Sequence, residues 1–522
     1  MPTFEALRQS CYIAKSRLLF VLWMALSGSI GWFFYANNNA VDYRMDSSTC
    51  DSWCGGLVLL LRLLYVPSWI SLIMCFTTLI YFKPRQSTLK PKPAAASCAD
   101  PQPLCVNPDP LCVNPLPLCV KPDPPRTVVF RYVTRGFSHN PIARSVNHTL
   151  QQLQEVSMEP NHRYPVRLCV EVITDRPVPE VDWKRIDDEH VWDFSAHPPV
   201  FQTVVPSDYK LISPIDNTET KFKARALHYA IEEGVGRYTG PETVIVHMDE
   251  ETILCTDTVT QILEGVMRQS DTNYIAQGVI YYEPHLQGQP YRGIQHFVTT
   301  LADSIRVYDD WGRFGWQFTR NQCWFGMKGS FVVTTQVVEE QVSFNFGATG
   351  SITEDAYFAF RAKERGVRFW FVEGVMYELS TFTFGDFIRQ RSRWMNGLQR
   401  IVRSPTIKVR TKWVLGLMLF CWGFGIFSII TVLFSLFVRY HNYRLLEVFL
   451  MVAFGIYTYM YLFGLLIQHG DLPLMKTICL LLLIFPFCVI PLLEVSAVVY
   501  CIGTNLCTKS SDQFHVVNKD IK

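Results

Sequence analysis

Three groups of polar residues, far apart in the chain, have the types and spacing to handle a metal ion, a proton and a phosphate. The first closes a β-branched run, Val244-Ile245-Val246-His247-Met248, with three carboxylates, Asp249, Glu250 and Glu251. In extended backbone residues i and i+2 point the same way, so Asp249 and Glu251 are expected to hold Mg²⁺ or Mn²⁺. Such ions take oxygen ligands and keep water and substrate phosphates in the remaining positions. Alone, an acidic strand end is also an ordinary solvated turn. The second group, Glu354-Asp355, heads a helical run over 356–366. Acids there suit the helix dipole, and Asp355 also suits a general base that takes a proton from an attacking hydroxyl. One base with no second nucleophile implies direct displacement, hence inversion. In the third group Gln390 and Arg393 offer donors for phosphate oxygens and Trp394 a flat apolar face. A basic interfacial segment with a Trp at headgroup level would read the same way. Lys223 and Arg225 are open between diphosphate contacts and a solvated helix face.

Strands and helices alternate around these groups. Runs 127–134, 166–174, 242–248, 273–282 and 331–335 read as strands, and 221–234 as a helix with Leu227 and Ile231 on one face. That alternation predicts an α/β domain with a mostly parallel sheet and helices on both faces. Ligands of such sheets bind beyond the carboxyl ends of the strands, where Asp175 and Asp249 both fall. The small residues of 345–351 read as a flexible loop passing close to a ligand.

Composition sets the surroundings. Of 522 residues 49% are hydrophobic and 18% charged, and mean hydropathy is positive, which suggests several membrane spans. A net charge of +2 gives no case for nucleic acid. The 16 cysteines sit mostly in apolar runs or one linker and read as reduced thiols. Five runs, 18–36, 57–82, 413–438, 445–467 and 475–502, reach the ~20 apolar residues a span needs. The first is also open to reading as a signal peptide, but a second span follows at once, which favours a retained hairpin. Lys83, Arg85, Lys90 and Lys92 on one side and Arg400, Arg403, Lys408, Arg410 and Lys412 on the other place the central region in the cytosol. Glu494, deep in the last run, is expected to face protein or a wet cavity. Between the second span and the sheet a Pro-Leu-Cys-Val heptad occurs three times, with Cys98, Cys105, Cys112 and Cys119 in register. Proline at that density leaves an extended spacer. The expected order is a membrane hairpin over 1–82, this linker over 83–125, a catalytic domain over 126–412, a three-helix membrane region over 413–502 and a polar tail over 503–522.

His-Met-Asp-Glu-Glu-Thr, Gly-Ser-Ile-Thr-Glu-Asp-Ala-Tyr-Phe and Gln-Arg-Ser-Arg-Trp-Met together resemble the inverting GT-A enzymes of glycosyltransferase family 2. They are closer still to a branch of β-1,4-mannosyltransferases that extend glucosylceramide with mannose from GDP-mannose. The resemblance covers 126–412 and the paired-then-tripled membrane layout. It implies Asp175 near the nucleotide base, Asp249 with Glu251 at the metal and diphosphate, and Asp355 as catalytic base. Gln390 and Arg393 would then grip the diphosphate and Trp394 line the acceptor; Lys223 and Arg225 are candidate nucleotide-sugar contacts, and Glu354 a candidate acceptor contact, on residue type and position alone. The family's usual Asp-x-Asp has Glu251 in its second place here, which leaves Glu250 and Glu251 as alternative ligands. The chain thus reads as a multi-pass enzyme of the endoplasmic reticulum or Golgi with a cytosolic GT-A domain and about five membrane helices. A processive polysaccharide synthase, another family 2 transferase using a UDP-sugar, and an inactive membrane scaffold are the rival readings.

Overall fold

A computed structural model describes Leu60 and residues 126–136, 139–158, 166–178, 199–232, 235, 240–427, 444–468 and 489–507. The first two expected spans (Leu60 aside) and the proline repeat lie outside them.

Strand β1 (Arg126–Thr134) leads into α1 (His139–Met158) and β2 (Val166–Thr174). Next come β3 (Val200–Val204), a two-residue-per-strand hairpin of β4 (Leu211–Ile212) and β5 (Glu219–Thr220), and α2 (Phe222–Tyr229). Then β6 (Thr243–Asp249), β7 (Ile253–Leu254), α3 (Thr256–Met267) and β8 (Tyr274–Tyr281) follow. After them lie α4 (Ile294–Asp309), β9 (Val332–Thr335), α5 (Glu354–Glu364) and β10 (Arg368–Tyr377). The chain continues through α6 (Phe384–Arg403), α7 (Val409–Phe424), α8 (Arg444–Gln468) and α9 (Val489–Cys507).

Eight strands form one sheet in the order β3-β2-β1-β6-β9-β8-β10-β7. β1, β2, β3 and β6 run parallel, as do β8 and β10, while β9 is antiparallel to both its neighbours. The sheet is mostly parallel because its strands are β-branched, apolar and buried on both faces. Val128, Phe130, Ile142, Val146, Val259 and Ile262 fill one face against α1 and α3. Ile173, Leu227, Val332, Phe344 and Phe358 fill the other. Register brings Val133 opposite Asp249 and Thr134 opposite Thr174, so the carboxyl ends of β1, β2 and β6 share one edge.

Two elements differ from the sequence reading. Helix α2 stops at Tyr229 instead of running to 234, because Ile231 and Glu232 bond back three residues, to His228 and Tyr229, and tighten the end into a turn. Run 345–351 is not a loose loop. It contains a short helix, Gly347–Gly350, laced to the β4–β5 hairpin. Thr220 Oγ1 accepts from Gly347 N and Thr218 Oγ1 from Ala348 N, both at 2.7 Å, and Ser351 Oγ accepts from Lys221 N at 2.9 Å. Small polar side chains serve there as backbone partners.

Among the described residues no helix is long and apolar enough to cross a membrane. Helix α7 nevertheless turns a stripe outward: Val409, Trp413, Leu417 and Phe420 are all exposed.

Candidate active site

Beneath the shared strand edge a buried ionic chain braces the sheet. Arg131 reaches Glu171 Oε2 at 2.6 Å and Glu339 Oε2 at 2.8 Å, and His247 Nε2 meets Glu339 Oε1 at 2.5 Å. Thr203 donates to the other oxygen of Glu171. Burial works against the charge on Glu339, but His247 and Arg131 outweigh it and hold its carboxyl below the ordinary range.

Above it, five charged side chains converge from four elements. Lys223, on α2, donates to Asp249 Oδ1 at 2.6 Å and to the carbonyl of Gly329 at 2.9 Å. Burial opposes its charge, yet Asp249, Glu354 and Asp355 hold the ammonium above its usual value. Gly329 is a close-approach position: a Cβ there would stand 3.2 Å from Asp355 Oδ2 and 3.6 Å from Lys223 Nζ. Asp355 Oδ1 accepts from the Ala356 amide at 2.7 Å in the first turn of α5, where the dipole favours a carboxylate. Helix α6 brings the fifth charge. Gly397 seats against Thr353, with room for no side chain: a Cβ would lie 2.4 Å from Thr353 Cγ2. Arg393, four residues earlier and so on the same face, is thereby turned toward the acids. Burial pulls its guanidinium down while Glu354, Asp249 and Asp355 act in the opposite sense.

The acids themselves are strained in protonation. Burial first, then the neighbouring Asp355, pushes Glu354 up to about 8. Burial likewise lifts Asp355, to about 6, against its backbone hydrogen bond and Lys223. Both acids of this adjoining pair are thus held above the ordinary carboxyl range. A small pocket lies against the pair, lined by Lys223, His247, Gly329 and apolar residues including Leu227 and Phe344.

The remaining expected residues fall around this centre. Arg225 does not face solvent; it binds Asp175 Oδ1 at 2.5 Å just past the end of β2. Neither it nor Lys223 is a solvated helix face. Gln390 sits one turn before Arg393, but its amide oxygen accepts from Arg391 at 3.3 Å. Trp394 carries guanidinium groups, Arg391 at 4.3 Å and Arg306 at 4.7 Å from the ring centroid, where an open apolar face was expected. The two-carboxylate clamp is not formed either. β6 ends at Asp249 and the chain turns, Thr252 N bonding back to Asp249 O at 3.0 Å. The i, i+2 relation that would align Glu251 with Asp249 needs extended backbone and is lost. Glu251 is buried, in the field of Arg144, and Glu250 accepts from Thr134 at 2.6 Å. Among the described residues no three His, Cys, Asp or Glu side chains gather to hold a metal. Asp249 alone, with its side chain 40% exposed at the strand end, suits an ion that takes one protein carboxylate and completes its shell with phosphate and water.

Sequence reasoning missed Gly329 and Arg391. A glycine before a buried strand, Lys328-Gly329-Ser330, was the available signal for the first. Arg391 was visible within its motif but its partners, Asp303 and Glu494, are 88 and 103 residues away.

A strand-end carboxylate, a helix-head acid pair and a cationic helix closing over them on a mostly parallel sheet define a GT-A-type glycosyltransferase. Residues 244–467 match the model of glycosyl transferase family group 2. The β-1,4-mannosyltransferase bre-3 of Caenorhabditis elegans is 33% identical over 76% of this chain and 79% of its own length. The β-1,4-mannosyltransferase egh of Drosophila melanogaster is 32% identical over 65% of this chain and 66% of its own. A solved mannosyltransferase from Pyrobaculum calidifontis, in complex with GDP-Man and Mn2+, aligns with TM-score 0.38 and 16% identity over 86% of this chain and all of that one. This chain belongs to glycosyltransferase family 2, and it is an enzyme of that family with mannosyltransferase relatives.

Proposed function

We propose that the chain transfers mannose from GDP-mannose, with inversion, to a glucosyl lipid such as glucosylceramide, forming a β-1,4 linkage. The single observation that carries the chemistry is Asp355: a buried acid lifted toward neutrality, beside Lys223 and facing Arg393. General bases work best when their pKa lies near the operating pH. Asp355 takes the proton of the acceptor hydroxyl as that oxygen bonds to the anomeric carbon and the bond to the diphosphate breaks. Lys223 and Arg393 face the leaving diphosphate. Glu354, its carboxyl raised by burial and by Asp355, adjoins the base on the acceptor side. Mg²⁺ or Mn²⁺, when bound, neutralises diphosphate charge, and Asp249 is the side chain suited to hold it. Asp175 with Arg225 takes the nucleotide base.

The names of the relatives support mannose as the sugar. The outward stripe of α7, with exposed Arg403, Lys408 and Arg410 beside it, supports a bilayer-bound acceptor. The reading keeps the catalytic domain over 126–412 on the cytosolic side of the endoplasmic reticulum or Golgi, flanked by the five spans. Membranes carrying the full chain are incubated with glucosylceramide and, separately, GDP-mannose, UDP-glucose and UDP-N-acetylglucosamine. Lipid heavier by one hexose with GDP-mannose alone is the expected product. Transfer from a UDP-sugar instead, or long polymer, overturns the reading.

A further inference from the structure

Arg391 sits inside the motif that carries Gln390, Arg393 and Trp394, yet it faces away from the acids. Its guanidinium is 4% exposed and is the hub of a second charged cluster, on the opposite side of α6. One nitrogen is paired with Asp303 of α4, which is 2% exposed, and Nε reaches Glu494 Oε1 of α9 at 3.3 Å. Asp303 is in turn fixed by Ser380, at 2.6 Å, and by Arg306 one turn along α4, at 3.5 Å. The Cζ of Arg391 lies over two rings, 4.3 Å from the centroid of Trp394 and 4.5 Å from that of Phe387. Arg306 stacks on the same Trp394 ring at 4.7 Å and on Tyr282 at 4.2 Å. Trp394 is therefore held by two guanidinium groups, and both are anchored by the one buried carboxylate, Asp303.

We propose that Arg391 is a positioning residue for the transfer reaction, fixing the ring of Trp394 at the acceptor end of the site, and that Glu494 makes the C-terminal helix α9 part of that fixture. The role rests on the acceptor position that the family resemblance implies for Trp394, a half-buried ring that carries these two guanidinium groups. Planarity matters as much as charge: a guanidinium can pair with two carboxylates and stack on a ring at once, whereas an ammonium is a point charge without a face. Helix α9 packs on α6 through Leu493 beside Phe387 and Val498 beside Met395, and its charged link to Trp394 runs from Glu494 through Arg391. The carboxylate of an otherwise apolar helix thus has a partner on the catalytic helix, and its effect on substrate is exerted two side chains away.

The test uses the full-length chain in membranes, with whichever lipid acceptor and donor the wild-type protein turns over. Failure of the proposed substrates then shows in the wild type, before any variant is read. Arg391→Gln is expected to raise the KM for acceptor about tenfold or more, while the KM for donor stays within about twofold. Arg391→Lys, which keeps the charge and loses the stack, is expected to fall between the two. Glu494→Gln, which leaves Asp303 in place, is expected to raise the acceptor KM about two- to fivefold at unchanged protein level. Should Arg391→Gln fail to accumulate, Glu494→Gln and Arg391→Lys decide the matter. An acceptor KM unchanged in both, or donor and acceptor KM moving together with kcat, would overturn the proposal and leave the cluster a structural brace.

Discussion

Two buried ionic clusters adjoin along β6, one through His247 and one through Asp249, and their carboxyls are shifted differently: Glu339 is held low, Glu354 and Asp355 high. In the lower one both oxygens of Glu339 and both of Glu171 are met by Arg131, His247 and Thr203, and the carboxyl of Glu339 is held low. In the upper one Glu354 and Asp355 adjoin each other, share Lys223 and Arg393 with Asp249, and are both held high. Burial raises Glu339, Glu354 and Asp355 alike, so the neighbouring charges decide the difference: His247 and Arg131 outweigh burial at Glu339, while Asp355 adds to it at Glu354. A saturated cluster braces the fold. A crowded acid pair with shared cations is left able to exchange a proton, which is how perturbed carboxyls mark functional sites.

Mutation sharpens that contrast. The largest effect is expected for Asp355→Asn, which keeps shape but cannot accept a proton: transfer should fall by about 10²–10⁴-fold, with no loss of thermal stability. In the wild type the rate should rise with pH through about 6, as Asp355 ionises, and that limb should vanish with the substitution. A variant retaining more than about a tenth of wild-type turnover would remove Asp355 from the mechanism. Glu339→Ala should do the reverse. Stranding Arg131 and His247 is expected to cost about 3–5 kcal/mol of stability, read as a lowered melting temperature, while the remaining folded enzyme keeps its acid limb. If stability holds and the limb moves instead, the two clusters are one system. The smallest effect belongs to Glu354→Gln. An amide imitates the protonated acid, so kcat near pH 7 should change by no more than about threefold; a loss comparable with that of Asp355→Asn would make Glu354 the base.

Much of this was legible in the chain. Long β-branched runs end where their strands end, which is why Asp175 and Asp249 fall on one edge as expected. The acid pair was legible as a helix head and Arg393 as part of a cationic-aromatic cluster, while the Gly397–Thr353 contact that brings them together was not. What could not be read was set by two-residue decisions and by distance. The turn after Asp249 separates Glu251 from it within a couple of residues, and nothing in an acidic triplet says where extension stops. β4 and β5 are two residues each, too short to show alternation, so the run they hold looked loose. Glu494 was expected to face protein, and it does, at Arg391. That partner was hidden because pairing across 103 residues leaves no local trace.

The lacing of 345–351 to the β4–β5 hairpin has a mechanical consequence. Lys223 follows the hairpin by three residues and Glu354 follows Ser351 by three, so cation and acids hang from opposite ends of one hydrogen-bonded clamp. If each bond contributes about 0.5–1.5 kcal/mol, parting the two arms is far costlier than tilting them together. The Lys223-to-acid spacing is thus set by the clamp at one end and by the Lys223–Asp249 ion pair at the other.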